Sequence, residues 1–296
     1  MGTTVLTGPL TLRALLAEAR QRLAGAGVAN AAQEAGWLLE KGLGCRSHHL
    51  IAEADREISL DQRASVRSLV DRRARREPLQ YILGTQEFCG LEFAVGPSVL
   101  IPRPETELLV HEVVRQTGAH HASRLVDVGT GSGCLAVTLA TTLRGSKVLA
   151  IDRSADALQV AKQNAATHGV LEGIEWLQGD LLAPLAGRGL EERVDVIVSN
   201  PPYIAERDLP GLQPEVQLFE PHMALVSGPL GTEFHRRLLQ DAPAFLVPGG
   251  MLMMEIGQGQ AAAVRALAQD IGGYAPVILV EDAAGIERVV IAQKVG

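Results

Sequence analysis

Val194-Asp195-Val196-Ile197-Val198-Ser199-Asn200-Pro201-Pro202-Tyr203 is the stretch on which the fold turns. An apolar run bounded by prolines reads as a buried strand of a parallel sheet. The prolines cannot continue the ladder, so the chain leaves the sheet at Asn200. That sets an amide side chain, two carbonyls and an aromatic ring at the carboxyl end of a strand, the edge where open α/β sheets bind ligands. A planar nitrogen-bearing group can donate there to the Asn200 side-chain oxygen and a proline carbonyl while lying against Tyr203. Pro-Pro alone would equally end a strand in an ordinary turn, and the rest of the chain decides between the two.

Around this stretch, from Arg124 onward, strand and helix patterns alternate. Strands are expected at Leu125–Val128, Lys147–Ile151, Ile174–Leu177, Val194–Ser199, Met251–Ile256, Val277–Val280 and Arg288–Ala292. Helices fit between most of them, around 133–143, 154–168, 231–246 and 258–271. That order is a doubly wound, Rossmann-like α/β sheet. The last two strands are joined through Gly285 with no room for a helix, so they must be antiparallel neighbours. A mostly parallel seven-stranded sheet with a terminal antiparallel hairpin is a feature of Class I methyltransferases.

The N-terminal quarter differs in kind. From Leu12 to about Arg76 the pattern is helical, with Thr11, Asn30 and Ser59 as caps and Leu12, Leu15, Leu16, Ala19 and Leu23 on one stripe. This reads as a small helical bundle without a catalytic constellation. Pro78 breaks the last helix, and Phe88 to Val95 alternate around Gly90 as a β-hairpin. A proline-stiffened loop, Leu100-Ile101-Pro102-Arg103-Pro104-Glu105-Thr106-Glu107, then leads to a helix opened by Thr106 or Glu105 and running to about Thr117. The expected division is a helical domain over 1–77, a linker and hairpin over 78–100 and a catalytic domain over 101–296.

Composition narrows the function classes. Of 296 residues, 47% are apolar and 21% charged, which is globular. No apolar stretch is long enough to cross a membrane. Met1-Gly2-Thr3-Thr4-Val5-Leu6 matches neither an export signal nor a myristoylation site, so a cytoplasmic location is expected. Three dispersed cysteines, Cys45, Cys89 and Cys134, argue for reduced thiols and against a disulfide frame or zinc site. The pairs His48-His49 and His120-His121 lack metal spacing and read as surface residues, so no metal is expected. The net charge of −7 disfavours a general nucleic-acid binder. It is uneven: residues 1–85 carry 12 Lys and Arg against 9 Asp and Glu (net +3), the remaining 211 carry 15 against 25 (net −10). The run Arg72-Arg73-Ala74-Arg75-Arg76 reads as a solvated helix face, with docking of an acidic or RNA-bearing partner as the alternative.

Asp127-Val128-Gly129-Thr130-Gly131-Ser132-Gly133 follows the first strand and opens a helix. Glycines there let backbone approach a ligand closely. The dinucleotide fingerprint G-x-G-x-x-G fails by one place, because the third glycine comes early and Cys134 stands where it belongs. Asp152 ends the second strand, where a carboxylate can accept both ribose hydroxyls. S-adenosylmethionine needs that clamp but carries no phosphate; its amino and carboxylate ends want a carboxylate, Asp127 or a neighbour, and free backbone N–H groups. Asp180, after the third strand, can accept an adenine amino group or cap a helix.

Together these residues resemble the bacterial protein-(glutamine-N5) methyltransferases that modify peptide chain release factors, the PrmC/HemK family. The resemblance covers nearly the whole chain. It includes Pro78-Leu79-Gln80-Tyr81-Ile82-Leu83-Gly84, Ile101-Pro102-Arg103-Pro104-Glu105-Thr106-Glu107, Asp127–Gly133, Asp152, Ser199-Asn200-Pro201-Pro202-Tyr203-Ile204, Phe219-Glu220-Pro221 and Glu255-Ile256-Gly257. The Asn-Pro-Pro-Tyr motif is shared with adenine methyltransferases, whereas the segments around Leu79 and Arg103 are more specific to this family. The resemblance implies methyl transfer from S-adenosyl-L-methionine, leaving S-adenosyl-L-homocysteine, to the side-chain amide nitrogen of the glutamine in the GGQ loop of release factors. It implies cofactor contacts from the residues at Gly129, Thr130, Gly131, Ser132 and Gly133, from Asp152 and from Asn200. The family often has an aromatic residue just after the acidic residue of the third strand; here Leu181 stands there. The N-terminal bundle would help grip the release factor, and a monomer needing neither membrane nor nucleic acid is expected.

The sulfonium methyl is already activated, so the enzyme's task is alignment. Asn200 Oδ1 and the Pro201 carbonyl, accepting from the amide N–H groups, would turn the lone pair toward the methyl, with Pro202 and Tyr203 completing the substrate contact and Tyr203 stacking on the amide plane. Glu105 and Glu107 are candidates for the methionine amino group, or else for bracing the hairpin. His111 and His222 have no assigned part, and Met251-Leu252-Met253-Met254 reads as core strand. The rivals are an adenine-N6 methyltransferase acting on DNA or RNA, a NAD-dependent oxidoreductase favoured by the glycine loop alone, and a non-catalytic ribosome-associated module.

Overall fold

The computed structural model describes residues 11–118 and 123–296. His120-His121 and the first residues lie outside that range. The described chain divides into two compact units: residues up to Gly84 together with the short helical segment Pro214–Phe219, and Thr85–Gln213 together with Glu220–Gly296.

The first unit is a helical bundle of α1 (Leu12–Gly25), α2 (Ala31–Leu43), α3 (Ser47–Ala52), α4 (Leu60–Ala74) and α5 (Leu79–Leu83). Thr11 caps α1 by accepting from the Ala14 N–H at 3.3 Å, and Ser59 and Gln62 form a reciprocal capping box on α4. Asn30 precedes α2 without a side-chain cap bond. The α1 stripe Leu12, Leu15, Ala19 and Leu23 is buried against Leu38 and Leu39 of α2 and Val66 and Val70 of α4. The basic run is not a solvated face. Arg73 is buried, bonded through Nε to Glu34 at 2.6 Å and through Nη1 to Glu215 at 2.9 Å. Arg76 reaches the other Glu215 oxygen at 2.7 Å, and Arg72 pairs with Glu77. Only Arg75 of the four arginines is exposed. Glu215 lies 142 residues from Arg73, so no local pattern announces the pair. Burial pushes its carboxyl up, but the bonds from Arg76 and Arg73 outweigh that and hold it below its ordinary value.

The second unit begins with the hairpin β1 (Thr85–Phe88) and β2 (Leu91–Ala94), followed by α6 (Glu107–Thr117) behind a 3-10 turn at Pro104–Thr106. Then come β3 (Arg124–Val128), α7 (Cys134–Thr142), β4 (Lys147–Asp152), α8 (Ala155–Thr167), β5 (Ile174–Gln178) and β6 (Val194–Ser199). After α9, the Pro214–Phe219 segment of the first unit, follow α10 (Glu233–Asp241), β7 (Leu246–Glu255), α11 (Ala261–Ile271), β8 (Ile278–Glu281) and β9 (Glu287–Gln293). The seven-stranded sheet has the order β5-β4-β3-β6-β7-β9-β8. β3 to β7 are parallel, and β9 runs antiparallel to both β7 and β8. This is the Class I methyltransferase sheet with its terminal hairpin.

Alternate strand residues feed two cores: Val126, Ile197, Leu252 and Met254 meet α10 and α11, while Leu125, Val196, Val198 and Met253 meet α6 and α7. β7 starts five residues before the expected Met251, because Leu246 already pairs with Val194 and Pro248-Gly249-Gly250 lie in a bulge before the register resumes at Val196 and Met251. A Cβ on Gly250 would sit 2.9 Å from the Val247 carbonyl and 3.1 Å from those of Val194 and Asp195, so only glycine lets the backbones approach there. Strand order reverses between β3 and β6, whose ends pair Val128 with Ser199. Gly129 and Asn200 therefore emerge side by side at the switch point where such sheets bind ligands. No helix among the described residues is long and apolar enough to cross a membrane.

Candidate active site

The loop after β3 is held open by its own backbone. Gly129, Gly131 and Gly133 have φ of 75°, 56° and 81°, in the left-handed region. The Gly129 and Thr130 N–H groups donate to the Ile151 carbonyl at 2.8 and 2.9 Å. Asp152, ending β4, accepts from Gly131 N–H through Oδ2 and from Ser154 N–H through Oδ1, both at 2.8 Å. Burial pushes its carboxyl up, against those backbone bonds. The early third glycine has a packing reason: a Cβ on Gly133 would lie 3.0 Å from Ala161 Cβ on α8. This position serves close helix packing, not a pyrophosphate.

A cavity of about 320 Å³ opens at this edge. Gly129, Gly131, Asp152, Asp180, Leu181, Asn200, Pro201 and Pro202 line it, and Pro97–Leu100, Met223 and Phe234 complete the wall. Its size lies within the range of about 300–1,000 Å³ usual for small-molecule sites. Asp180 pairs with Arg237 at 2.6 Å, both partly exposed. Leu181 holds φ +48°, a left-handed conformation for a non-glycine residue. Thr130, Ser132 and Gly133 are buried behind the wall and do not line the cavity.

Asp127 is also behind the wall. Its Oδ2 accepts from Thr130 Oγ1 at 2.6 Å and from the Ala136 N–H at 3.1 Å, while Oδ1 is buried without a partner among the described residues. Burial pushes this carboxyl up to about 7, against the two hydrogen bonds. A carboxyl raised on folding stabilises the fold at low pH and loses that contribution as pH rises through its folded value. Asp127→Asn, which never ionises, should therefore gain melting temperature relative to the wild type between pH 5 and pH 8. A difference that stays constant over that range would show Asp127 titrating at its ordinary value.

Asn200 leaves β6 with its Nδ2 donating to Thr106 Oγ1 at 3.0 Å. Thr106 in turn donates to Glu255 Oε2 at 2.6 Å, and Tyr203 donates to Glu255 Oε1 at 3.2 Å. Asn200 Oδ1 is buried with no partner among the described residues. Glu255 is 2% exposed, and burial pushes its carboxyl up to about 7 against the bonds from Thr106 and Tyr203. The phenol of Tyr203 is raised too, by burial first and by Glu255 second. Tyr203 does not line the cavity of Asn200; it faces a neighbouring one of about 520 Å³ with Gly257, Gln260 and Arg288. Gln260 Nε2 anchors the loop by donating to the Tyr203 carbonyl at 2.9 Å and the Gly231 carbonyl at 3.1 Å.

Of the two early glutamates, Glu107 braces the hairpin by accepting from the Cys89 N–H at 2.8 Å; neither Glu105 nor Glu107 lines the cavity. Met253 and Met254 are core residues. Sequence reasoning assigned no part to Thr106 beyond opening a helix, and none to Glu255, Glu220 or Asn164. Glu220 is buried and holds the proline loop through Ile101 N–H and Arg103. Asn164 ties α8 to the Ala94 carbonyl and N–H and to the Ser132 carbonyl. The available signal for Glu255 was a carboxylate ending an otherwise apolar strand, which implies buried partners.

Comparison with known proteins matches residues 14–84 to the PrmC N-terminal domain and residues 104–212 to the methyltransferase small domain. A release factor glutamine methyltransferase of Geobacter sulfurreducens is 45% identical over 280 residues, 95% of each chain. Its namesake in Moorella thermoacetica is 41% identical over 96% of this chain and 99% of its own. Among solved structures, the hMettl16 catalytic domain superposes with a TM-score of 0.58 at 18% identity, covering 77% of this chain and 83% of its own. A methyltransferase from Pyrococcus furiosus does so with a TM-score of 0.51 at 19% identity, covering 76% and 99%. These two likenesses concern the fold alone. The identity to the bacterial relatives along almost all of both chains settles the matter: the chain belongs to the release factor glutamine methyltransferase family.

Proposed function

We propose that this enzyme transfers a methyl group from S-adenosyl-L-methionine to the side-chain amide nitrogen of the glutamine in the GGQ loop of peptide chain release factors. The observation that carries the reading is the buried, unpartnered Oδ1 of Asn200, a residue that lines the cavity beside Pro201. A buried acceptor without a donor is costly, and a primary amide brings the N–H group it lacks.

The residues fit the cofactor. Asp152 presents a carboxylate to the cavity whose backbone bonds leave acceptor capacity for ribose hydroxyls. Gly129 and Gly131 offer side-chain-free backbone in the same wall, and Leu181 an apolar surface where relatives of this family often place a ring. Bound there, S-adenosylmethionine supplies a methyl group on a sulfonium, leaving S-adenosylhomocysteine. Asn200 Oδ1 and the Pro201 carbonyl accept from the two amide N–H groups of the glutamine, hold its nitrogen lone pair in line and stabilise the positive charge that grows there. The proton leaves to water once the nitrogen is cationic. Tyr203 acts on this arrangement from behind the cavity wall, through its bond to Glu255.

In this reading residues 1–77 serve as the release-factor docking domain, 78–100 as linker and hairpin, and 101–296 as the catalytic domain; the family match over residues 14–84 supports a separate N-terminal domain. The enzyme acts as a monomer in the cytoplasm, where release factors work. The test is labelled S-adenosylmethionine offered with a release factor, with its GGQ→GGA variant and with duplex DNA. Label on the unaltered release factor alone is expected. Label on DNA, or equal label on the GGA variant, overturns the substrate.

A further inference from the structure

We propose that Thr106 and Glu255 are positioning residues that fix which edge of the Asn200 amide meets the substrate. The inference rests on the part given to Asn200 above and concerns the hydrogen-bond relay behind it. An asparagine amide has two nearly isosteric ends, one a double donor and one an acceptor. Only the acceptor end can receive an N–H group from a substrate amide. Nothing in the shape of the side chain selects that end, so the selection must come from its neighbours.

The relay makes that selection by proton counting. Ionised Glu255 can only accept. It accepts from Thr106 at Oε2, 2.6 Å, and from Tyr203 at Oε1, 3.2 Å. The single Thr106 proton is thereby committed to Glu255, and its oxygen is left to accept. It accepts from Asn200 Nδ2 at 3.0 Å, which turns Oδ1 the other way, buried and unpartnered. A flipped amide would set Oδ1 against a hydroxyl oxygen with no proton to share. Thr106 sits in the turn before α6 and Glu255 ends β7, so two elements remote in sequence from the Asn-Pro-Pro-Tyr loop set its chemistry.

The polarity depends on the charge of Glu255. Burial pushes its carboxyl up to about 7, Glu105 adds to the rise, and Thr106, Tyr203 and Arg288 oppose it. His235 of α10 sits with Nε2 at 2.8 Å from the Glu255 backbone carbonyl, and the half-buried Cys134 thiol of α7 feels the same carboxylate. Once protonated, Glu255 has a proton of its own to give to Thr106 or Tyr203, and the direction of the relay is no longer imposed.

The experiment compares Thr106→Val, Thr106→Ser and Glu255→Gln with the wild type in release-factor methylation, with cofactor binding measured alongside. Valine keeps the volume and removes the relay, so kcat should fall at least about tenfold while KM and cofactor affinity stay within about threefold. Serine keeps the hydroxyl and should retain kcat within about threefold. The wild-type kcat should decline on the acid side of pH 7, and that limb should vanish in Thr106→Val and Glu255→Gln. A valine variant with wild-type kcat, a serine variant as impaired as valine, or an unchanged acid limb overturns the relay. A wild-type enzyme that binds cofactor but leaves the glutamine unmodified overturns the substrate reading instead, before any variant is compared.

Discussion

Asn200→Ala is expected to lower kcat for methylation about 10²–10³-fold, the loss typical of removing one preorganised group from a developing charge. Cofactor affinity should change by less than about threefold, because the ribose clamp at Asp152 and the glycine backbone are untouched. The substitution deletes the free acceptor and also strands the Thr106 oxygen that now receives Asn200 Nδ2. Asn200→Asp separates these effects. It keeps an acceptor in the place of Oδ1 but sets a carboxylate against Thr106, whose proton is committed to Glu255. It too should be impaired. Equilibrium binding of S-adenosylmethionine beside single-turnover methyl transfer is the measurement, and equal loss in both would make Asn200 a cofactor ligand and not a substrate one.

The largest effect on stability is expected at Arg73. Arg73→Met removes the guanidinium bonded to Glu34 and Glu215, side chains only 11% and 13% exposed. Glu215 keeps Arg76, but Glu34 loses its bonded cation. Breaking a buried pair from one side costs about 3–5 kcal/mol, a large part of the roughly 5–15 kcal/mol that holds a domain folded. Arg76→Met, half-buried and with Arg73 still in place on Glu215, should cost only about 1 kcal/mol. Adding Glu34→Gln to Arg73→Met should restore part of the loss, since an amide is far cheaper to bury unpaired. Urea unfolding of the three variants gives these differences directly. A loss under about 1 kcal/mol for Arg73→Met would mean that water reaches the cluster.

The features legible in sequence were those written in local pattern. The β3 to β9 strands follow from apolar runs and their spacing, and the terminal hairpin follows from a connection too short for a helix. The glycine loop, Asp152 and Asn200 could be assigned to one sheet edge because parallel strands all end there, and Gly129, Gly131, Asp152 and Asn200 do share a cavity wall. What sequence could not give is pairing at long range. Thr106 and Glu255 lie 149 residues apart, so neither reveals which hydroxyl or carboxylate it will meet. Arg73 looked like one member of a solvated basic run because its partners sit on other elements. Asp127 looked like a ligand because the methionine amino group of the cofactor wants a carboxylate at the glycine loop; its bonds to Thr130 and Ala136 turn it into the loop's own brace.

The Pro214–Phe219 excursion has a consequence for how such an enzyme can be inherited. A module that recombines freely enters and leaves its neighbour's chain once. Here the chain passes between the two units three times, at 84/85, 213/214 and 219/220. A gene fusion cut at the first of these would hand the helical half to a new protein without Glu215, leaving Arg73 and Arg76 short of a counter-charge. It would also leave the donor with six residues cut off from the unit they belong to. The helical unit and the sheet unit are therefore interleaved in sequence, and shuffling one demands a matched graft in the other.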